Sequence, residues 1–248
     1  MTLAIMQPYL FPYLGYWQLI ANSNKFIFFD VVKYNKRSWM NRNRILHPDS
    51  NESFQYISVP IKKNTQSMLI KDMLIQNDEE WIKKILGQLT VYKKLRAPYY
   101  DETKDLVESI LAKNHGDFIS LCIESKKAIC AYLDIDFNFD LASKIEFDRS
   151  AIEKPGDWAL AICQHLNVQK YINPHGGFDI FDERKYNENG VDIRFIRSNL
   201  TPYKQSRREV FTPGLSIIDV LMFNNRDEIM ELLKSDFKEL SRNELENY

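Results

Sequence analysis

Leu3-Ala4-Ile5-Met6, then Gln7-Pro8-Tyr9-Leu10-Phe11-Pro12-Tyr13-Leu14-Gly15-Tyr16-Trp17-Gln18-Leu19-Ile20-Ala21, then Lys25-Phe26-Ile27-Phe28-Phe29-Asp30 decide the fold of this chain. The first run is short and wholly apolar, and Gln7-Pro8 closes it, which is the pattern of a strand buried on both faces. Pro8 and Pro12 exclude regular helix across residues 8–12, since each lacks an amide donor and fixes its own φ. From Gly15 onward the apolar residues recur at helical spacing. The last run is a second buried strand ending in an acid. Strand, loop, helix and strand make a βαβ unit, which implies a parallel pair joined by a right-handed crossover.

Working outward, residues 54–60 alternate like a strand, and residues 78–95 predict a long helix with Asp78 as its N-cap. Residues 99–112 and 117–133 repeat the helical pattern, with Asp117 placed to cap. No Gly/Pro/Ser-rich linker brackets this stretch, so residues 78–133 read as a helical insert or lid within one α/β domain covering 1–248. Pro155 suits the first turn of a helix through residues 158–163. Lys170-Tyr171-Ile172 is a brief strand running into a tight loop at Asn173-Pro174-His175-Gly176-Gly177, and residues 191–196 are another strand. Ser216 caps a short helix, Ile217–Phe223, that stops at Asn224-Asn225. The polar tail, residues 236–248, reads as a frayed helix. The expected class is therefore α/β, a Rossmann-like and mainly parallel sheet with a helical insert.

Composition narrows the function. The 33 Lys and Arg nearly balance the 34 Asp and Glu, giving a net charge of −1, so no global field favours nucleic acid and any anion site must be local. Three cysteines, Cys122, Cys130 and Cys163, form no CxxC pair and argue against a disulfide framework or a zinc site, so no metal is expected. Neither a signal peptide nor a membrane span is expected from the amino terminus or from any apolar run, and the protein is placed in the cytoplasm. The oligomeric state is left open.

Four segments carry candidate chemistry. The loop of residues 7–16 leaves the first strand where an open parallel sheet binds ligands, and Gln7, Tyr9, Tyr13, Gly15 and Tyr16 are candidate substrate contacts there, Gly15 by letting backbone approach a ligand. The segment Asp30-Val31-Val32-Lys33-Tyr34-Asn35-Lys36-Arg37-Ser38-Trp39-Met40-Asn41-Arg42-Asn43-Arg44-Ile45 follows the second strand and is expected on the same sheet edge. Its Lys33, Arg37 and Arg42 suit phosphate or carboxylate, Asn41 and Asn43 suit hydroxyls or amides, and Trp39 suits a base or sugar face. Asp30 stands at a strand end as a candidate base. His175, in the Gly-rich turn, is the other candidate general base, whereas His47, His115 and His165 lack supporting neighbours. Tyr203 and Gln205 alternate as on a strand and are candidate pocket residues, while Asp219, three residues after Ser216, is placed to complete a capping box.

Taken together, Gln7-Pro8-Tyr9-Leu10-Phe11-Pro12-Tyr13-Leu14-Gly15-Tyr16, Asp30 through Ile45, Tyr203-x-Gln205 and Leu215-Ser216-Ile217-Ile218-Asp219 resemble the WbqC-like protein family over nearly the whole chain. The resemblance implies a link to O-antigen, lipopolysaccharide or other surface-polysaccharide biosynthesis. It implies a small anionic substrate, a nucleotide sugar, and a transferase that places an acyl or aminoacyl group on the amine of a nucleotide-linked amino sugar. The cofactor expected is an acyl or aminoacyl donor, or ATP. At the level of fold alone, the opening also resembles nucleotidyltransferases, with Tyr13-Leu14-Gly15-Tyr16 standing where their HxGH loop does. Both histidines of that motif are missing here. An ATP-using activating or nucleotidyl-transferring enzyme and a non-catalytic binding protein of the pathway are the alternatives.

Overall fold

The structure is a computed structural model that describes residues 1–35, 38–62, 68–77, 80–113, 115–205 and 210–247. In chain order the elements are β1 (Thr2–Met6), α1 (Leu14–Ala21), β2 (Lys25–Phe28), a hairpin of β3 (Arg42–Leu46) and β4 (Phe54–Ser58), then α2 (Glu80–Lys94), α3 (Tyr100–Leu111) and α4 (Phe118–Tyr132). They continue with β5 (Phe139–Leu141), α5 (Asp157–His165), β6 (Lys170–Pro174), α6 (Glu183–Glu188), β7 (Asp192–Ser198), α7 (Ile217–Phe223), α8 (Arg226–Lys234), β8 (Phe237–Leu240) and α9 (Arg242–Glu246).

Six strands form one sheet in the order β5-β2-β1-β6-β7-β8, and all neighbouring pairs except β7 with β8 are parallel. From β1 the chain builds one way through β2 to β5 and the other way from β6 to β7. The direction of winding therefore reverses between β1 and β6, which opens a crevice at their carboxyl ends. The expected βαβ opening and the Rossmann-like, mainly parallel sheet are both present.

The central strands bury apolar side chains on both faces because both faces of the sheet are covered. Ala4, Phe26, Phe28 and Ile172 enter the core beneath α1, α7 and α8, while Leu3, Ile5, Ile27 and Tyr171 enter the core beneath α5 and α6. Trp81, Ile85, Val107, Phe118 and Ile129 of α2–α4 belong to the first of these cores, so the three helices between β2 and β5 share one apolar interior with the sheet. Among the described residues, no helix is long and apolar enough to cross a membrane.

Several expectations are corrected. The segment after Asp30 holds a strand that was not expected: Arg42–Leu46 pairs antiparallel with Phe54–Ser58 in a separate two-stranded sheet. Residues 173–177 are not a simple tight loop, because β6 continues to Pro174 and a 3-10 helix, His175–Ile180, follows it. Pro155 stands just before α5, whose N-cap is Gly156. Asn224-Asn225 ends α7 but also starts α8, which Asn225 and Glu228 open with a reciprocal capping box. The tail is a strand and a short helix, since the free edge of β7 recruits Phe237–Leu240. Tyr203 and Gln205 lie on no strand. Asp117 caps α4 and Ser216 caps α7 as expected, whereas the expected cap at Asp78 lies outside the described residues.

Candidate functional site

A cavity of about 450 Å³ occupies the crevice between β1 and β6. Its volume is at the small end of the ~300–1,000 Å³ usual for small-molecule sites. Gln7, Tyr9 and Tyr13, all from the loop after β1, form one wall, and Asn173 and Gly177, at the end of β6, form another. Phe29, Val32, Trp158 and Ala159 supply an apolar side.

The loop of residues 7–13 is held from beneath with unusual completeness. Tyr16 Oη donates to the Gln7 carbonyl at 2.9 Å, and the Lys126 ammonium donates to the Tyr9 carbonyl. Asn43 Nδ2 donates to the Leu10 and Phe11 carbonyls at 3.1 and 2.8 Å, and Ser216 Oγ reaches the Phe11 carbonyl at 2.7 Å. Trp17 Nε1 and the Ile217 amide take the Pro12 carbonyl at 3.1 and 2.9 Å. Phe11 sits at φ 38°, a left-handed conformation that a bulky residue keeps only when its surroundings over-determine it. The two bonds to its carbonyl do that. Residues from α1, β3, α4 and α7 therefore converge to fix one loop in one shape.

The side chains that this loop presents to the cavity are a different matter. Neither the Gln7 amide nor the Tyr9 and Tyr13 hydroxyls have a hydrogen-bond partner among the described residues. Burial raises the Tyr9 pKa above its ordinary value; burial and then Tyr9 itself raise that of Tyr13. Both phenols are therefore neutral donors at physiological pH. Gly15 explains how Tyr13 reaches this position: a Cβ there would come within 2.5 Å of the Tyr13 ring. Its small size serves that ring rather than a ligand. Opposite, Asn173 Oδ1 accepts from Tyr171 at 3.0 Å, and a Cβ on Gly177 would meet Asn173 Nδ2 at 2.8 Å, so the glycine makes room for the amide.

The remaining candidates are distributed elsewhere. Tyr16 and Asn43 are buried beneath the loop, where they hold its carbonyls rather than face the cavity. Asn41 donates to the Val59 carbonyl at 2.8 Å and accepts from Tyr34 at 3.1 Å, tying the start of β3 to the end of β4. Arg42 and Arg44 lie half-buried on the hairpin; Arg44 Nη2 donates to the Gly214 carbonyl at 2.9 Å, and Arg42 lies 5.6 Å from the Trp39 ring and 5.1 Å from that of Tyr56, both residues 40% exposed. Lys33 is exposed beside Leu69, next to the cavity residue Val32, and Arg37 lies outside the described residues. Asp30 is buried, and its two carboxylate oxygens accept from the Ser143 amide at 2.9 Å and hydroxyl at 2.6 Å. His175 is exposed, between the lining residues Pro174 and Gly177. Tyr203 and Gln205 converge on the buried carboxylate of Asp219 at 2.5 and 2.7 Å, so Asp219 faces inward and Ser216 caps α7 through the Ile218 amide instead. That cluster pins the 203–205 segment to α7 and does not line the cavity.

Sequence reasoning missed Lys126 and Trp158. Lys126 is fully buried, 5.5 Å above the Tyr16 ring, and burial lowers its pKa to about 8. Beside Lys127 it looks like surface charge, yet it falls four residues after Cys122 and three before Ile129, on the buried face of α4. That spacing was the available signal.

The model of the WbqC-like protein family matches residues 7–231. Rv1507c, an uncharacterized protein of Mycobacterium tuberculosis, is 29% identical over 234 residues, which is 93% of this chain and 96% of that protein. No solved structure matches.

Proposed function

The chain belongs to the WbqC-like protein family, and from that premise we propose that it is a transferase of surface-polysaccharide sugar biosynthesis, placing an acyl or aminoacyl group on the amine of a nucleotide-linked amino sugar. One observation carries the reading: the opening motif of the family match is locked from below by buried side chains while Gln7, Tyr9 and Tyr13 turn unbonded polar groups into the switch-point cavity. A fixed backbone presenting unbonded donors is what a site for a developing negative charge requires.

In this reading the acceptor's amine nitrogen attacks the carbonyl carbon of an activated acyl donor, such as a thioester or acyl phosphate. A C–N bond forms, the bond from the carbonyl carbon to the donor's leaving group breaks, and the pair goes to that group. The phenols of Tyr9 and Tyr13 donate to the carbonyl oxygen as charge builds on it. His175, at the cavity's edge and open to solvent, takes the amine proton. Asp30 is not given that role, because its carboxylate is engaged by Ser143. The nucleotide lies on the outer face of the hairpin, where Trp39 and Tyr56 offer ring faces and Arg42 and Arg44 offer charge. The work is placed in the cytoplasm, in keeping with three free, buried thiols.

Incubation with nucleotide-linked amino sugars, with acyl donors and ATP supplied separately, tests the reading by product mass. An acceptor gaining the mass of one acyl group without ATP supports it. Turnover that requires ATP favours the activating-enzyme alternative, and no turnover with any pair favours a binding protein.

A further inference from the structure

The composition of the cavity says which part of a substrate it takes. We infer that the switch-point cavity holds the apolar body of an acyl chain, with Arg149, stacked on the Trp158 ring of its wall, receiving the anionic end; this rests on the acyl-transfer reading above. Most polar side chains facing the cavity come from the 7–13 loop; Tyr171 and Asn173 also line it but satisfy each other, Tyr171 Oη donating to Asn173 Oδ1 and Asn173 Nδ2 to the Pro174 carbonyl. Ile5, Phe29, Val32, Trp158, Ala159 and Phe181 make the rest of the wall apolar. A sugar ring, with a hydroxyl on nearly every carbon, would leave most of its hydrogen bonds unmade against such a surface. A hydrocarbon body gains from it.

Arg149 supplies the second half. Its guanidinium lies 5.4 Å from the ring of Trp158, whose ring lines the cavity, and 5.4 Å from that of Phe147, and the two rings stack edge to face behind it. The side chain is exposed, and among the described residues no carboxylate pairs with it. Aromatic stacking fixes the direction of a guanidinium without using its outer N–H groups, which remain free to bind a carboxylate or phosphate in bidentate fashion.

Calorimetric titration of the whole chain with butanoate, hexanoate, octanoate and decanoate, and with the matching 1-alkanols, tests this. Affinity in both series should rise about fourfold per methylene until the cavity is filled, and then level off. Arg149→Gln should weaken the alkanoates roughly tenfold or more while leaving the alkanols unchanged, as expected for loss of a charge-assisted bond. Val32→Trp, at a half-exposed wall position, should abolish both series while the thermal melt stays near the parent's. Affinity independent of chain length, or an Arg149→Gln effect equal on acids and alcohols, would overturn the inference. Alkanoate binding as described, with no product in the acyl-transfer assay, leaves this inference standing and removes the reaction; acyl transfer without chain-length dependence does the reverse.

Discussion

Asn43 shows how residue type misleads when the partner is remote in sequence. Set among Arg42 and Arg44 it reads as a ligand donor, yet its amide is buried against two carbonyls more than thirty residues earlier. Asn43→Ala should therefore cost about 1–3 kcal/mol of stability, because it strands buried carbonyls. Arg149→Ala, at an exposed residue stacked on Phe147 and Trp158, should cost no more than ~1 kcal/mol of stability, the scale of an exposed cation–π contact. Urea denaturation of the two variants side by side checks the contrast, and equal losses would contradict it. Lys126 allows a test by pH. Its pKa falls from the ordinary 10.5 to about 8 on burial, chiefly by desolvation. Between those values the unfolded chain holds a proton that the folded chain has released, so the Lys126 contribution to stability rises with pH across that window and is flat below it. Cys122 and Cys130, pushed up to about 12 by burial, and the buried Tyr16 stay neutral there. The stability of the parent minus that of Lys126→Met should grow by about 1.5 kcal/mol between pH 8 and pH 9.5. A constant difference would show that the amine is not desolvated.

At the scale of elements, what is local was legible and what is recruited was not. The helix Ile217–Phe223 was readable to its ends because Ser216 caps it and Asn224-Asn225 stops it, both within a few residues. The βαβ opening was readable because two continuous apolar runs flank one helical period. In contrast, β8 exists because β7 offers an unpaired edge, and its own residues alternate only weakly, with Lys238 and Glu239 exposed. The hairpin was half visible: residues 54–58 alternate, but their partner strand carries two arginines that stack on rings rather than face water alone. The helices α2–α4 share the sheet's core, and Lys126 of α4 reaches the opening loop, so we propose that they are a part of the domain and not a unit of their own. Limited proteolysis should yield no fragment from residues 78–133 that melts cooperatively alone. A stable fragment of that kind would refute the proposal.

For the whole molecule, the topology and the loop work together. Reversal of winding between β1 and β6 leaves a crevice at their carboxyl ends, and the residues that line it come from strand ends and from α5, far apart in the chain. The sequence pointed to the first wall, because strand order alone puts the 7–16 loop at a carboxyl edge. It marked the second only as the Gly-rich turn that carries His175, since nothing local in Trp158 or Asn173 distinguishes a lining residue from a core one. The proposed reaction needs the three unbonded groups of that first wall. The most direct test is the rate of acyl transfer by Tyr13→Phe, a change that removes one hydroxyl and leaves the ring over Gly15 in place. The account predicts a fall of about 10²-fold in kcat, the scale for losing one donor to a developing oxyanion, with thermal stability unchanged; full activity in a folded Tyr13→Phe variant would contradict it.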